Sequence, residues 1–165
     1  MPANETGNSA PVVHGRILAL DVGSRTIGLA ITDPLGITAQ GLLTIRRKNK
    51  RTDFAALNEV IARHEVCEIV VGLPLRMSGA EGIQSERIRE FVVDLEKHFK
   101  LPIHLWDERL TSVEANRVLR SSEMSISKRA AVVDQLAAVL ILQNFMEARH
   151  SKRLHDEELS EGDSL

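Results

Sequence analysis

Three acidic residues stand where the surrounding residues give no ready reason for a carboxylate. Asp21 closes the apolar run 17–20, Glu108 follows the short apolar segment 103–106, and Asp134 interrupts the most apolar stretch of the chain. A carboxylate beside a core is costly unless a hydrogen bond, a basic partner or a metal compensates it. Each acid alone has an ordinary explanation: Asp21 as a turn cap, Glu108 paired with Arg109, Asp134 salt-bridged to Lys128 or Arg129. Brought together, the three would repel and raise one another's pKa values unless cations neutralised them. Hard oxygen donors of this kind suit Mg²⁺ or Mn²⁺. Two such ions about 3.5–4 Å apart can activate a water and stabilise the leaving oxygen of a phosphodiester.

The elements that would position these acids are legible in the hydrophobic pattern. Residues 16–22 and 26–32 flank the turn at 23–25, a hairpin signal. The run 17–20 is apolar without alternation and predicts a strand buried on both faces. Residues 33–36 are turn-formers, and a third strand over about 37–46 completes an antiparallel meander. Thr52 or Asp53 is the expected cap of a helix carrying Phe54, Leu57 and Ile61 at helical spacing. The buried strand 68–72 follows, which a helix crossover would lay parallel to an earlier strand. Ser78 and Glu81 have capping-box spacing ahead of a helix that reaches about Lys100. Another short strand covers 103–106, and Thr111 and Glu114 open a further helix. The last helix, from Lys128 to about Arg149, is apolar almost all round and predicts packing on several sides. The expected fold class is α/β: a mixed five-stranded sheet, antiparallel meander first and parallel strands after, flanked by helices. In such sheets function gathers at the C-terminal ends of strands. Asp21 and Glu108 would fall there if their strands are parallel, Gly72 would leave space between them, and a last helix crossing that edge would bring Asp134 to meet them.

The chain of 165 residues is 43% hydrophobic and 27% charged, which suits one globular domain with a full core. The expected organisation is a disordered tail over 1–14, one domain over 15–149, and a disordered acidic tail over 150–165. Residues 1–14 hold no apolar run and no Lys or Arg, so no export signal is expected; nor is a membrane span. The single cysteine, Cys67, has no internal disulfide partner, and a cytoplasmic location is the expectation. Cys67 and Trp106 read as core residues. Net charge is −2, yet 154–165 hold five acids and no Lys or Arg, so without residues 1–14 and 154–165 the remainder carries +4. Basic residues cluster at Arg46, Arg47, Lys48, Lys50 and Arg51, and again at Arg149, Lys152 and Arg153. Such clusters can contact phosphates, although for either cluster alone a solvated loop or a helix end complementing its dipole is the favoured explanation. Aromatic content of 3% argues against stacking along a single strand.

Four segments carry a resemblance to a known family: Leu20-Asp21-Val22-Gly23 with Ile27-Gly28; Val71-Gly72-Leu73-Pro74; Trp106-Asp107-Glu108-Arg109-Leu110-Thr111; and Val133-Asp134-Gln135-Leu136-Ala137-Ala138. In this order, over about residues 16–147, the chain resembles the YqgF family, pre-16S rRNA nuclease or Holliday-junction-resolvase-like proteins with an RNase H-like fold. The resemblance implies that Asp21, Glu108 and Asp134 are the catalytic and metal-binding acids. It also implies a divalent metal, a cytoplasmic site of action and processing of the 5′ end of the small-subunit ribosomal RNA precursor. Arg25, Arg76, Arg109, Lys128 and Arg129 are the candidate nucleic-acid contacts. Two departures concern those contacts: the loop after Gly72 reads Arg76-Met77-Ser78-Gly79, where Asn and Asp are commoner in the family, and the last helix opens with fewer basic residues.

The leading expectation is therefore a metal-dependent nuclease for structured RNA, acting as a monomer or homodimer. A resolvase of branched DNA would cut two strands symmetrically and favours a two-fold dimer. A non-catalytic RNA-binding assembly factor would tolerate loss of the acids. Actin-like ATPases and sugar kinases share an Asp-x-Gly hairpin but need two such lobes, and the sequence holds one.

Overall fold

The computed structural model describes residues 15–74, 82–107 and 126–162. The meander appears as expected: β1 (Arg16–Val22), β2 (Thr26–Thr32) and β3 (Ala39–Arg46). Helix α1 (Lys50–His64) leads to β4 (Val66–Leu73), α2 (Ile83–His98) to β5 (Ile103–Asp107), and α3 spans Ile126–Gly162. The five strands form one mixed sheet in the order β3-β2-β1-β4-β5. β1 is antiparallel to β2 and parallel to β4, and β4 is parallel to β5. The alternation of side chains across β1 divides the core in two. Leu18, Leu20 and Val22 join Ile27, Leu29, Phe54, Leu57, Ile88, Phe91 and Leu95 on the side of α1 and α2. Ala19, Ala30 and Val70 lie on the other face under Ala138, Ile141, Leu142 and Phe145 of α3. Large residues therefore fill one layer and small ones admit a closely packed helix to the other.

Turn and cap chemistry refines the expected boundaries. At the β2–β3 turn the Asp33 carboxylate accepts from the amides of Ile37 (2.7 Å) and Thr38 (2.8 Å), while Gly36 takes the left-handed φ of 70° that it tolerates without strain. These bonds, that from Thr38 foremost, hold Asp33 below the usual carboxylate range. The cap of α1 is Asn49, not Thr52 or Asp53: its side chain accepts from the Thr52 amide at 2.9 Å. Asp53 is instead buried, accepting from the Lys48 amide at 3.0 Å and facing Arg47 at 3.6 Å. The residue before α2 is Gly82, without a side-chain cap, and the capping box at Ser78 and Glu81 lies outside the described residues. So does the helix expected after Thr111.

The last helix departs most from expectation. It begins at Ile126 and does not stop near Arg149; residues 150–162, read from their charge as a disordered tail, continue it as exposed helix. Opposite charges four residues apart favour helix here, with Lys152 and Arg153 preceding Asp156 and Glu157. Cys67, expected in the core, is exposed. Trp106 is half-buried, edge-on to Phe145 at 5.8 Å. Among the described residues no helix is long and apolar enough to cross a membrane.

Candidate active site

The site is built around a glycine. Gly28 of β2 is the register partner of Asp21 at the end of β1. A Cβ on Gly28 would come within 2.2 Å of the carbonyl oxygen of Asp134. The backbone of α3 thus rests on β2 at the position that faces Asp21. Gly41 of β3, partner of Ala30, gives the same clearance one step away, where a Cβ would meet the Gln135 side chain at 2.8 Å. Ala19, Gly28, Ala30 and Gly41 form the floor on which the Asp134 turn of α3 sits.

Two of the three predicted acids lie on the α3 face of the sheet near this glycine. Asp21 shares the face of β1 that carries Ala19, the α3 face, and is half-buried. The Asp134 carboxylate reaches the start of β2, where the Thr26 hydroxyl donates to its Oδ2. Among the described residues its partner is a neutral hydroxyl of the sheet; the side chains of Lys128 and Arg129, the cations of the ordinary explanation, lie outside them. Gly72 follows Val70 on the α3 face of β4, next to β1, and pairs with Trp106 of β5. Glu108 and Arg109 lie just past β5, outside the described residues, as does Arg76. Lys128 and Arg129 belong to the first turns of α3, where the described side chains begin only at Val132. Arg25 is exposed at the tip of the β1–β2 turn, its carbonyl accepting from the Arg47 amide at 2.8 Å. Among the described residues no three His, Cys, Asp or Glu side chains form a metal cluster.

Thr26 escaped the sequence reading. The signal was present in β2, where Thr26, Gly28 and Ala30 alternate with Ile27, Leu29 and Ile31: a face of small residues that had to admit something close. Also unforeseen is an ion network at the opposite end of the same seam. Glu68 of β4 accepts from Arg149 of α3 at 2.9 and 2.5 Å and lies 2.6 Å from Nε2 of His104 on β5. Arg149 stacks over Phe145 at 4.5 Å. Its hydrogen bonds hold Glu68 below the usual carboxylate range, and Arg149 is pushed up in turn. Arg149, counted above among possible phosphate contacts, is thus engaged inside the fold.

A mixed sheet whose first strand ends in an acid, with a second acid delivered by a helix laid across it, is the arrangement of an RNase H-like nuclease. The T. thermophilus RuvC structure in complex with Holliday junction substrate shares this fold, with a TM-score of 0.50 at 16% identity, covering 83% of this chain and 96% of that one. The family model described as RuvX: Holliday junction resolvase matches residues 15–148, and the chain belongs to this family, also called YqgF. A Koribacter versatilis protein named "Putative pre-16S rRNA nuclease" is 69% identical over 137 residues, 83% of this chain and 90% of its own. A Moorella thermoacetica protein of the same name is 52% identical over 132 residues, 80% of this chain and 94% of its own.

Proposed function

We propose that the protein is a metal-dependent endonuclease that hydrolyses phosphodiester bonds in structured RNA, processing the 5′ end of pre-16S ribosomal RNA in the cytoplasm. The observation that carries this reading is the seam at Gly28, which sets Asp134 against the strand pair bearing Asp21. The donors fit a divalent ion: two carboxylates from different elements offer hard oxygen, and no thiol or imidazole accompanies them among the described residues. Glu108, one residue past β5, is the proposed third acid. Bound there, Mg²⁺ or Mn²⁺, as two ions, would supply a nucleophilic hydroxide and charge stabilisation at the leaving oxygen. The chain's own part is positional. Asp21 is fixed by the ladder of β1, and Asp134 by the helix seat at Gly28 and by the Thr26 hydroxyl. Arg25, Arg76, Arg109, Lys128 and Arg129 are proposed to neutralise neighbouring phosphates.

The family's own description favours a second substrate, the four-way DNA junction. Cleavage of a labelled precursor 5′ leader and of a four-way junction, each with Mg²⁺, Mn²⁺ or chelator, separates the two. Metal-dependent cutting of the RNA alone, abolished in Asp134→Asn, is the expected result. Paired symmetric nicks in the junction would assign a resolvase acting as a two-fold dimer. Binding without cutting by either protein would overturn the nuclease reading.

A further inference from the structure

Two consecutive arginines stand at the end of β3, Arg46 as its last residue and Arg47 just past it, and they turn to different surroundings. Ile45 pairs with Ile27 in the α1/α2 layer, and Arg46 pairs with Thr26. Cross-strand partners share a face, so Arg46 stands beside the residue that holds Asp134, with Cα atoms about 5 Å apart. Arg47 is engaged by other partners. It donates to the Gly23 carbonyl at 2.7 Å, faces Asp53 at 3.6 Å and lies over the Phe91 ring at 5.5 Å. Arg46 is exposed, and among the described residues no carboxylate pairs with it. Arg25, at the turn that links β1 to β2, is likewise exposed and without an ion pair among these residues. Among the described residues, two guanidiniums without an ion pair therefore stand near the acidic site, one at the β1–β2 turn and one at the end of β3, whereas the neighbouring Arg47 is engaged.

We propose that Arg46, together with Arg25, is a binding site for the phosphodiester backbone of the substrate, holding phosphates next to the one that is cut. The proposal rests on the nuclease reading and adds a surface to it. A guanidinium suits this task because its planar fork matches a phosphate in a bidentate manner. It also offsets the repulsion between the substrate's phosphates and the carboxylates of the site. The competing role for an exposed arginine on an edge strand is to block pairing with another sheet, which would leave nucleic-acid binding untouched.

Equilibrium binding in chelator, so that nothing is cut, tests this across a salt series, with a labelled leader RNA hairpin and a four-way DNA junction as probes. Loss of one phosphate contact flattens the plot of log K against log[salt] by about 0.7–0.9. That decrease is expected for Arg46→Ala and for Arg25→Ala, and about twice as much for the double variant. Arg46→Lys should keep the slope. Arg63→Ala removes an exposed arginine at the C-terminal end of α1, far from the site, and should match wild type. A loss on one probe alone supports the site and says which backbone it takes. Wild-type slope and affinity in both alanine variants would overturn the proposal while leaving the nuclease reading in place. Failure of the wild type to bind either probe would overturn both.

Discussion

The two ends of the α3 seam use the same helix and the same sheet for opposite purposes. At the Arg149 end every charge on the seam is answered: Glu68 meets Arg149 and His104, and Phe145 covers the guanidinium. At the Asp134 end the helix comes down onto glycine and alanine, and among the described residues the carboxylate's partner is a hydroxyl that contributes no charge. A charge cancelled within the fold anchors the helix but has little left to offer a ligand. A charge that is oriented but not cancelled can still attract a cation. Anchoring and chemistry are thus separated along α3 by about three turns, the span from Asp134 to Phe145.

The widest split between the two ends should come from removing one carboxylate at each. Asp134→Asn keeps the shape and a hydrogen-bond acceptor for Thr26 but lowers the charge available to a divalent ion. Loss of several kcal/mol of metal-derived stabilisation corresponds to a rate reduced by about 10³-fold or more, with thermal stability close to wild type. Asp21→Asn should behave alike. Glu68→Gln should do the reverse, lowering the melting temperature while the folded fraction cuts at the wild-type rate. Equal loss of activity in Glu68→Gln and Asp134→Asn would erase the distinction.

Gly28→Ala attacks the near end through sterics alone. The added Cβ meets backbone, the Asp134 carbonyl at 2.2 Å, so no side-chain rotation relieves the contact and α3 must move. Overpacking of this kind costs about 1–3 kcal/mol, and the displaced Asp134 should lower activity per folded molecule by more than tenfold. Gly41→Ala is the graded control: its Cβ would meet the flexible Gln135 side chain, which can swing aside. Thermal melts and single-turnover rates for the pair would show whether close backbone approach at Gly28 sets the site.

The far end should reveal itself by acid. Glu68 is held below its ordinary pKa, first by the hydrogen bonds of Arg149. A carboxylate depressed in the folded state contributes stability that is complete above its unfolded pKa and is lost as pH falls through the folded value. Wild type should therefore lose stability below about pH 4.5 more steeply than Glu68→Gln. Arg149→Ala leaves a half-buried carboxylate with His104 alone and should cost about 1–3 kcal/mol at neutral pH. Denaturant midpoints between pH 3 and 7 check both statements; parallel curves for wild type and Glu68→Gln would contradict them.

The same contrast governs what the sequence could show. The meander and the parallel strands were legible because each obeys a local pattern, an apolar run or a turn sequence, and Asp21 and Asp134 stood out as candidates because each is an acid among aliphatics. Gly28 and Thr26 were not read as site residues, since their roles depend on a helix more than a hundred positions away. Glu68, His104 and Arg149 come from three separate elements, and no spacing links them. The sequence reading named Thr52 or Asp53 as the α1 cap and passed over Asn49, a capping type one turn earlier, because only the hydrogen bond from the Thr52 amide to its side chain marks where the helix starts. The helical state of 150–162 was obscured by composition, where charge density suggested disorder and charge spacing favoured helix.

The finest test of the seam is the hydroxyl of Thr26. Thr26→Val is nearly isosteric and retains the β-branch suited to a strand, so the register with Arg46 and the seat of α3 should persist. What disappears is the donor to Asp134 Oδ2. The carboxylate then samples rotamers that the hydroxyl had excluded. A loss of about 1.4 kcal/mol, near the upper range for one such bond, predicts a rate about tenfold lower. The metal concentration for half-maximal activity should rise, and Mn²⁺ binding measured by calorimetry should weaken to match. Thr26→Ser keeps the donor and should restore both, with melting temperatures of all three proteins within a few degrees. If valine and serine behave alike, Asp134 is held by the helix seat alone and Gly28 is the whole of the positioning device.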